Sequence, residues 1–516
     1  MIKIKVYKSH MKVSITNDFA TYHKNPGLLL EGGLYGHMCH IYEDLDLPFE
    51  ALNQMVVGLL KGEIDGEIKE KIDGQALAVS IDEDNVDNII FARNVGNVKN
   101  FGENALKSWK HVHSKFSDVS PAERAARRDL IKAFTFAAKD LTAAINQLPA
   151  VVRRDRFFSQ DKRVPKIDKR GEPIKDKRGE FVYETVRVKN WLHFEIVWPE
   201  TTNVIPYNHR MIVLHNYVAY DQFGKKRVTS DFNQFATDVQ EQLRNVGAQN
   251  QRYFDVASLP NVNKRWDRLV TPGRSVTIED FEESREEFLS EIKKIQQEFS
   301  LTDRNTLGDY YTGRLVNMIY TAAEEIGYQV SSDVVNMLVD RWLHGVKKPD
   351  IKQIRDKIVS TKNITTNDTA PGAGPDVMFK EWVDSQNTGA ANRHMMRRVK
   401  QPVIDLIIDL GITVINNMSD YLALGTQEQS SVEIKRSIES VVKRVRESRN
   451  PDHIDQIQGY LDIIQRAGGL DKIVPTEGIL FTYKKPGTKT HSVYKLTGSF
   501  PALNELNGFF RFKKAR

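Results

Sequence analysis

Cysteine is almost missing from this chain: Cys39 is the only one in 516 residues. A single cysteine excludes a disulfide within the chain and a zinc site built from several thiolates. Long apolar runs are missing too, and the N-terminal MIKIKVYKSHMKVS lacks the extended apolar core of a signal peptide. The sequence therefore predicts a cytoplasmic protein that does not enter the membrane.

A strong charge of one sign is also absent. The chain has 74 Lys and Arg against 68 Asp and Glu, which leaves a net charge of +6. Such a mild excess permits a polyanionic partner without requiring one. A hydrophobic content of 40% over this length is enough for a substantial core, and the length suggests roughly two to four domains.

The segment KEKIDGQALAVSID places a lysine, Lys71, at the start of an alternating stretch. Residues 76–80 alternate small and larger apolar side chains, which predicts a half-buried strand. Gly74 allows a backbone to pass close to a bulky group. A lysine amine attacks only when neutral, and nearby cations or a metal can lower its pKa. Lys71 is thus a candidate nucleophile, and the alternative is a surface lysine before a turn.

Four other predicted strands carry a charged residue among apolar neighbours. A buried carboxylate on a strand is costly unless it has a partner, and an arginine suits phosphate because its fork stays charged. The four segments are IIFARN with Arg93, WLHFEIVWP with Glu195, EGILFTYK with Glu477 and YKLTGSF with Lys495.

Lys71-Ile72-Asp73-Gly74 resembles the Lys-x-Asp-Gly nucleophile motif of the covalent nucleotidyltransferases, which are ATP-dependent DNA ligases, RNA ligases and mRNA capping enzymes. The flank EKIDGQ is most similar to the T-even phage type of RNA ligase. The segment EGGLYGHMCH resembles a family of uncharacterised tailed-phage proteins with a ligase-like lysine motif. The resemblance covers residues 60–222 and 471–516. It implies an α+β fold with a nucleotidyltransferase core of antiparallel sheets.

The resemblance also implies roles for the charged residues. Lys71 would attack ATP to form a lysyl-AMP, and Glu477 would bind Mg²⁺. Lys495, with Lys484 or Lys485, would contact the α-phosphate, and Glu195 would hold the ribose.

Further members of the implied nucleotide site are Glu70 and Gly74, which flank the nucleophile. Arg93 would contact the nucleotide or the 5′-phosphate of the end being joined. His215 or Tyr217 could stack on the base, and core packing is an equal alternative for both.

From residue 225 to 470 the strand pattern stops and helical spacing dominates. This predicts a first core segment at 1–224, a large all-helical inserted domain at 225–470 and C-terminal core strands at 471–516. The predicted helices lie at 277–299, 303–327, 330–343, 350–360, 393–424 and 431–466, with a Gly- and Pro-rich linker at 366–375.

Basic residues cluster in three places. The stretch 153–178 reads as a mobile hairpin or loop, with a phosphate-backbone contact as the alternative. Two helical segments carry runs of cations, for which a solvated face is the first interpretation and nucleic-acid contact the second. These cations are Arg393, Arg397, Arg398 and Lys400 in one segment and Lys435, Arg436, Lys443, Arg444, Arg446 and Arg449 in the other.

Two histidines, His37 and His40, are three residues apart and could share a metal with Cys39 or Glu43. Capping or packing is the more common use of such residues. A helix is expected after Pro48.

The chain ends too soon after Lys495 for the trailing OB-fold of DNA ligases and capping enzymes, which favours the RNA-ligase branch. It leaves open which group orients the β- and γ-phosphates. The expected function is an ATP- and Mg²⁺-dependent, RNA-ligase-like phage enzyme acting on nucleic acid, RNA rather than DNA, in the host cytoplasm. The alternatives are a virion or scaffolding protein that keeps the fold, and AMP transfer to a protein or small molecule recognised by the helical insert.

Overall fold

The computed structural model combines two sheets with many helices, which confirms the predicted α+β class. It describes residues 38–64, 68–166, 174, 176, 178, 180–198, 200–201, 210–230, 234–250, 254–258, 278–345, 350–360, 374–417, 476–485, 491–498 and 500.

The strands are mostly short, and only two exceed ten residues. In chain order they are Cys39–His40 (β1), Ile68–Lys71 (β2), Gln75–Ile81 (β3), Ile89–Ala92 (β4), Gln160–Pro165 (β5), Tyr183–Val197 (β6), Arg210–Asp221 (β7), Lys226–Ser230 (β8), Phe254–Ser258 (β9), Gly478–Lys484 (β10) and His491–Leu496 (β11).

The helices lie before, between and after these strands. They are Phe49–Lys61 (α1), Val95–Val98 (α2), Trp109–Ser117 (α3), Pro121–Ala126 (α4), Arg128–Gln147 (α5), Ala150–Phe157 (α6), Gln234–Asn250 (α7), Ile278–Glu298 (α8), Leu307–Ile326 (α9), Ser332–Trp342 (α10), Ile351–Ser360 (α11), Pro375–Gln386 (α12) and Gly389–Asn417 (α13), with 3-10 turns at Ile41–Glu43 and Lys99–Gly102.

The small sheet has four strands in the order β1-β11-β10-β2. The larger one has the order β4-β3-β6-β7-β8, with β5 on β6 and β9 on β7. Antiparallel pairs dominate both, and the exceptions are the parallel pairs β1–β11 and β7–β9. The first sheet thus joins strands from the start and the end of the described chain.

The large sheet buries one face under helices α3, α5 and α7. Leu77, Val79, Phe194 and Ile196 pack there with Phe134 and other helical side chains in one apolar cluster. Strand residues alternate between faces, so the intervening positions point to the other side. There Ala78, Ala92, Trp191, Val218 and Tyr220 form a second cluster. The alternation of faces predicted after Lys71 is confirmed, but the strand is not half-buried, because both of its faces are covered from Leu77 onward.

Helix positions in the later chain agree with the sequence pattern to within a few residues for α8 to α11, and α13 covers most of the segment predicted at 393–424. Apolar spacing fixed them, as in α10, where Val334, Leu338 and Trp342 are all buried. The predicted helix at 431–466 and nearly all of the linker at 366–375 lie outside the described residues.

The prediction that strands stop near residue 225 is wrong. Strand β8 pairs antiparallel with β7, and β9 pairs parallel with it. Both are five residues long and partly polar, KRVTS and FDVAS, so they give little strand periodicity. The turn before β8 is made by Gly224 at a positive φ of 72°, which extends the large sheet past the predicted core boundary.

Of the hairpin and the loop predicted for the basic stretch at 153–178, the structure supports the hairpin for residues 160–165, which pair antiparallel with β6. Arg153 is buried and donates to the carbonyl of Val86 at 3.0 Å, while residues 160–165 form β5. Several of its cations, including Lys169, Arg170 and Lys175, lie outside the described residues.

The chain divides into two compact units. One includes Val316–Asn392, and the other includes Pro26–Leu315 and Arg393–Arg516. The first contains helices α10 to α12, which pack through aromatic rings such as Tyr328 and Phe379, 4.7 Å apart. Both sheets belong to the second. Within the described residues, no helix is long and apolar enough to cross a membrane.

Candidate active site

Lys71 ends one strand and does not begin the next. Strand β2 stops at Lys71, the strand β3 of the other sheet begins at Gln75, and Ile72-Asp73-Gly74 connects them. The motif therefore passes from the small sheet to the large one. This differs from the sequence prediction, in which the lysine opened the alternating strand, and it lets the lysine meet groups from both sheets.

The small sheet brings together three motifs that are far apart in sequence. Strand β10 pairs with β2, with Gly478 opposite Lys71, and with β11, with Leu480 opposite Lys495. Directly paired residues share a face, so Lys71 and Lys495 lie on the same face of the sheet. The prediction that the late Glu-Gly strand joins the lysine strand in one sheet is confirmed.

Glu477 is held at the start of β10 by the glycine that follows it. Gly478 has a φ of 142°, and a Cβ there would collide with the carbonyl of Leu496 on β11. Thr476 supports the turn, since its hydroxyl accepts the Gly478 amide hydrogen at 3.2 Å. A residue other than glycine could not bring β10 this close to β11.

The Lys71 amine forms an ion pair with the Oε1 atom of Glu477, 406 residues later in the chain. Both side chains are about 15% exposed or less. Burial lowers the pKa of Lys71, but the carboxylates of Glu477 and Glu195 outweigh it, so that the pKa lies above its ordinary value. Burial raises the pKa of the Glu477 carboxyl to about 7. The resting lysine is protonated beside a carboxyl that readily takes up a proton.

Glu195 approaches from the large sheet, on the face opposite the helices. Its Oε1 accepts the Gly74 amide hydrogen at 2.8 Å, and its Oε2 lies 2.6 Å from His215 Nε2. A Cβ on Gly74 would come within 2.5 Å of the Glu195 Cγ, so the glycine makes room for the carboxylate. Burial raises the pKa of Glu195, but His215, Lys71 and the Gly74 amide reverse the shift, so that its pKa is lowered.

His215 reaches Glu195 because of an irregularity in β7. The pairing of β6 with β7 shifts register, so that His193 faces Asn216 while Phe194 faces Leu214. His215 is the extra residue, and such a bulge redirects a side chain. The role predicted for it was stacking on the base; the structure shows the ring bound to Glu195 instead. The other candidate, Tyr217, packs in the core of the large sheet, as the alternative held.

Lys495 lies one strand beyond Glu477. Burial lowers its pKa, and the charges acting on its amine are those of Glu43, Lys71 and Glu477. A buried cation with these neighbours is suited to bind an anion next to Lys71.

Two predicted residues are not brought to this place. Glu70 alternates with Lys71 on β2 and is buried on the opposite face of the small sheet. Lys484 shares the face of Lys71 but is exposed at the far end of β10, six residues past Gly478, or about 20 Å at the usual rise per strand residue. Lys485, the residue after it, pairs with Asp44 at 2.5 Å.

Arg93 packs against the helices that cover the large sheet. Its guanidinium lies 4.4 Å from the centroid of the Phe134 ring on α5 and 5.7 Å from that of Phe116 on α3. It also donates to the carbonyl of Ala76. Burial lowers the pKa of Arg93 to about 10. This position anchors the strand to the helices and gives no support to the predicted phosphate contact.

The acidic residues near Lys71 offer a magnesium ion few ligands. In the described part of the chain, no three His, Cys, Asp or Glu side chains are grouped as they would be to hold a metal. Magnesium, however, is commonly held by one or two carboxylates together with substrate phosphates and water. Glu477 meets that requirement as a single oxygen ligand.

His40 packs and pairs within the small sheet. Its ring stacks on Tyr42 with centroids 4.6 Å apart, and its amide donates to Glu43 Oε2 at 2.8 Å. His37 lies outside the described residues.

Two charged residues near the site carried no clear signal in the sequence. Glu43 follows β1, and Lys400 comes from α13, where it was one cation among several on a helix. Their relation to Lys495 arises from the pairing of β1 with β11, a two-residue bridge that no periodicity reveals.

Comparison with known proteins gives no matching family model, no matching curated protein and no matching solved structure.

Proposed function

We propose that this chain is a covalent nucleotidyltransferase in which Lys71 is the nucleophile. The supporting observation is the ion pair between Lys71 and Glu477, two motif residues 406 positions apart, with Glu195 acting on the same amine from the other sheet. A buried amine enclosed by carboxylates between two sheets is an arrangement typical of a catalytic group rather than a surface lysine.

The first step would transfer a nucleoside monophosphate to Lys71. The neutral Nζ attacks the α-phosphorus of ATP, the new P–N bond forms, and the P–O bond to the β-phosphate breaks to release pyrophosphate. The amine must first lose a proton, and the cation Lys495 on the same face of the sheet would favour this by lowering the pKa of Lys71.

The other residues hold the nucleotide. Lys495, on the face of Lys71, would bind the α-phosphate, where an amine stabilises the charge of the transition state. Glu195, fixed by His215 and the Gly74 amide, would orient the lysine and the ribose. Glu477 would hold a magnesium ion against the phosphates, where a divalent cation neutralises their negative charge.

The second half of the reaction would pass AMP from the Lys71 nitrogen to the 5′-phosphate of a polynucleotide, RNA in preference to DNA. A 3′-hydroxyl then attacks the phosphorus of that 5′-phosphate. The new P–O bond completes a phosphodiester, and the P–O bond to AMP breaks to release AMP. The support for a nucleic-acid acceptor is the motif pattern of the sequence, and a fall in binding with rising salt concentration is expected of it.

A second candidate is a structural or binding module that keeps this architecture without the reaction. It is favoured by the raised pKa of Lys71, which keeps the amine protonated in the resting protein, and by the position of Arg93 under helices α3 and α5.

Incubation with α-labelled ATP and magnesium, followed by denaturing electrophoresis, separates the two. We expect an acid-labile, alkali-stable label on the protein that is lost in Lys71→Ala and in Lys71→Arg. The arginine variant keeps a cation beside Glu477, so it controls for loss of the fold. Lys61→Ala, which removes an exposed amine from α1, should label like the parent protein.

Absence of label with all four nucleoside triphosphates, in a protein that is folded, would overturn the enzyme and favour the structural module. Labelling that persists in folded Lys71→Arg would show that another residue is the nucleophile.

A further inference from the structure

Helix α13 packs against the small sheet, which carries Lys71 and Lys495. Its glycine, Gly411, packs directly on the residue pair that follows β11: a Cβ there would lie 3.0 Å from the Gly498 nitrogen and 3.1 Å from its Cα. Such close backbone contact fixes the helix against the strand that carries Lys495.

The same helix places Lys400 beside a ring that contacts the turn after β1. The Lys400 amine lies 5.5 Å from the centroid of the Tyr311 ring, and the Tyr311 hydroxyl donates to the Tyr42 carbonyl at 2.8 Å. Tyr42 is part of the turn Ile41–Glu43 that follows β1. The lysine therefore faces the turn next to the small sheet, unlike Arg398, which is exposed on the same helix.

One carboxylate, that of Glu43, serves both lysines. The amide of His40 donates to Glu43 Oε2 at 2.8 Å, and His40 is paired with Lys495 across β1 and β11. The charge of Glu43 acts on the amine of Lys495 and on that of Lys400, both of which are largely removed from water. Lys495 in turn feels the charges of Lys71 and Glu477.

Polar contacts connect the two lysines through residues next to Glu43. Lys495 pairs with His40, whose amide binds Glu43. Lys400 lies beside the ring of Tyr311, whose hydroxyl binds the carbonyl of Tyr42, the residue before Glu43. A nucleoside triphosphate whose α-phosphate lies between Lys71 and Lys495 would extend its tail toward Glu43 and Lys400. Two half-buried amines near one carboxylate are suited to surround the oxygens of a phosphate chain.

We propose that Lys400 binds the β- and γ-phosphates of the nucleotide, and that the Glu43 carboxylate occupies the place of these phosphates when no nucleotide is bound. The assignment rests on the proposed function and identifies the group that receives the leaving pyrophosphate. As the P–O bond breaks, negative charge grows on that leaving group, and the Lys400 ammonium would stabilise it. Lys400 neither transfers a proton nor forms a covalent bond in this step, and its role is electrostatic.

The test measures binding of inorganic tripolyphosphate and of AMP by titration calorimetry, without any turnover. Loss of a charge-assisted contact should weaken tripolyphosphate binding about tenfold or more in Lys400→Met. AMP, which lacks the tail, should bind as it does to the parent protein. Arg398→Ala removes a cation from the exposed side of α13 and should change neither.

A second variant predicts the opposite sign. Glu43→Gln keeps an oxygen to accept the His40 amide but removes the competing charge, so tripolyphosphate should bind several-fold more tightly. A purely structural role for this cluster would make both variants weaker binders. This variant also carries the test if Lys400→Met does not give a cooperative thermal transition.

Unchanged tripolyphosphate binding in folded Lys400→Met, or weaker binding in Glu43→Gln, would overturn the assignment even if Lys71 still accepts label. The two proposals can also fail separately. If Lys400→Met weakens and Glu43→Gln strengthens tripolyphosphate binding, but the protein never accepts label, the phosphate site is supported and only the transfer reaction is overturned.

Discussion

Glu195 shows how one side chain can be both a structural and an electrostatic part of the site. Its two oxygens are taken by the Gly74 amide and by His215, and it lies on a sheet face that water scarcely reaches. A buried carboxylate is tolerated only with such partners. Because those partners favour the ionised form, its pKa is lowered in the folded protein.

The pH dependence of stability follows from that shift. A carboxyl with a lowered pKa stabilises the fold at pH values above its pKa in the unfolded chain, and the gain is lost as pH falls through the folded pKa. We therefore expect Glu195→Gln to reduce the free energy of unfolding by about 1–3 kcal/mol near pH 7. The difference from the parent protein should shrink as pH falls below about 4.5, the ordinary value for glutamate.

Urea denaturation followed by circular dichroism between pH 3 and 7 measures this difference. Glu241→Gln, at an exposed position on α7, should stay within about 0.5 kcal/mol of the parent protein at every pH. A gap between Glu195→Gln and the parent that grows toward low pH would show that the carboxyl is protonated in the native state.

At the scale of single elements, the contact between α13 and β11 has no room for a side chain. Replacing Gly411 by valine would force the helix off Gly498, since even a Cβ lies about 3 Å from its backbone. Overpacking of this kind costs about 1–3 kcal/mol. We expect the amides of β11 to exchange hydrogen faster in Gly411→Val, while those of β6 and β7 in the large sheet keep their protection.

The matched control is Thr413→Val on the same helix, which changes chemistry but hardly changes shape. Gly411→Ala should fall between it and valine, because the gain in helix propensity offsets part of the crowding. Equal exchange in β11 for all three variants would mean that the contact does not hold the helix on the sheet.

The sequence was sufficient for the features that depend on pattern. Alternation placed Leu77 and Val79 on the core face, apolar spacing placed α8 to α11, and short apolar segments around Glu477 and Lys495 predicted the two C-terminal strands. These properties are local, because the spacing of apolar side chains in a strand or helix can be read from a few consecutive residues.

Other features depended on contacts that no local pattern carries. Arg93 stands where a phosphate contact was expected, but rings from two helices meet its guanidinium. His215 is redirected by a register shift that involves a partner strand. Lys484 lies on the predicted face but at the wrong end of its strand, because period fixes the face and not the distance along it.

At the scale of the molecule, the two sheets are built from different spans of the chain. Every strand of the large sheet lies between residues 75 and 258, whereas the small sheet needs β10 and β11, which follow residue 470. In the described structure, β1 and β2 pair only with these two late strands. The small sheet, and with it the partner of Lys71, cannot form until both have been made.

Deletion of residues 471–516 should therefore separate the sheets. We expect the amides of β3, β6 and β7 to stay protected from hydrogen exchange in the truncated chain, since their partners and the core under α5 remain. Protection in β2 should fall to that of an unpaired segment, and any label on Lys71 should vanish.

Full-length Glu477→Gln keeps every strand while removing the ion pair, so it should lose label yet keep protection in β2. Loss of protection in β3, β6 and β7 of the truncated chain would mean that the sheets fold as one cooperative unit. Separation of the sheets would have a consequence during synthesis. Because Glu477 and Lys495 are made some 400 residues after Lys71, the reactive lysine would gain its partners only after residue 495 has been made.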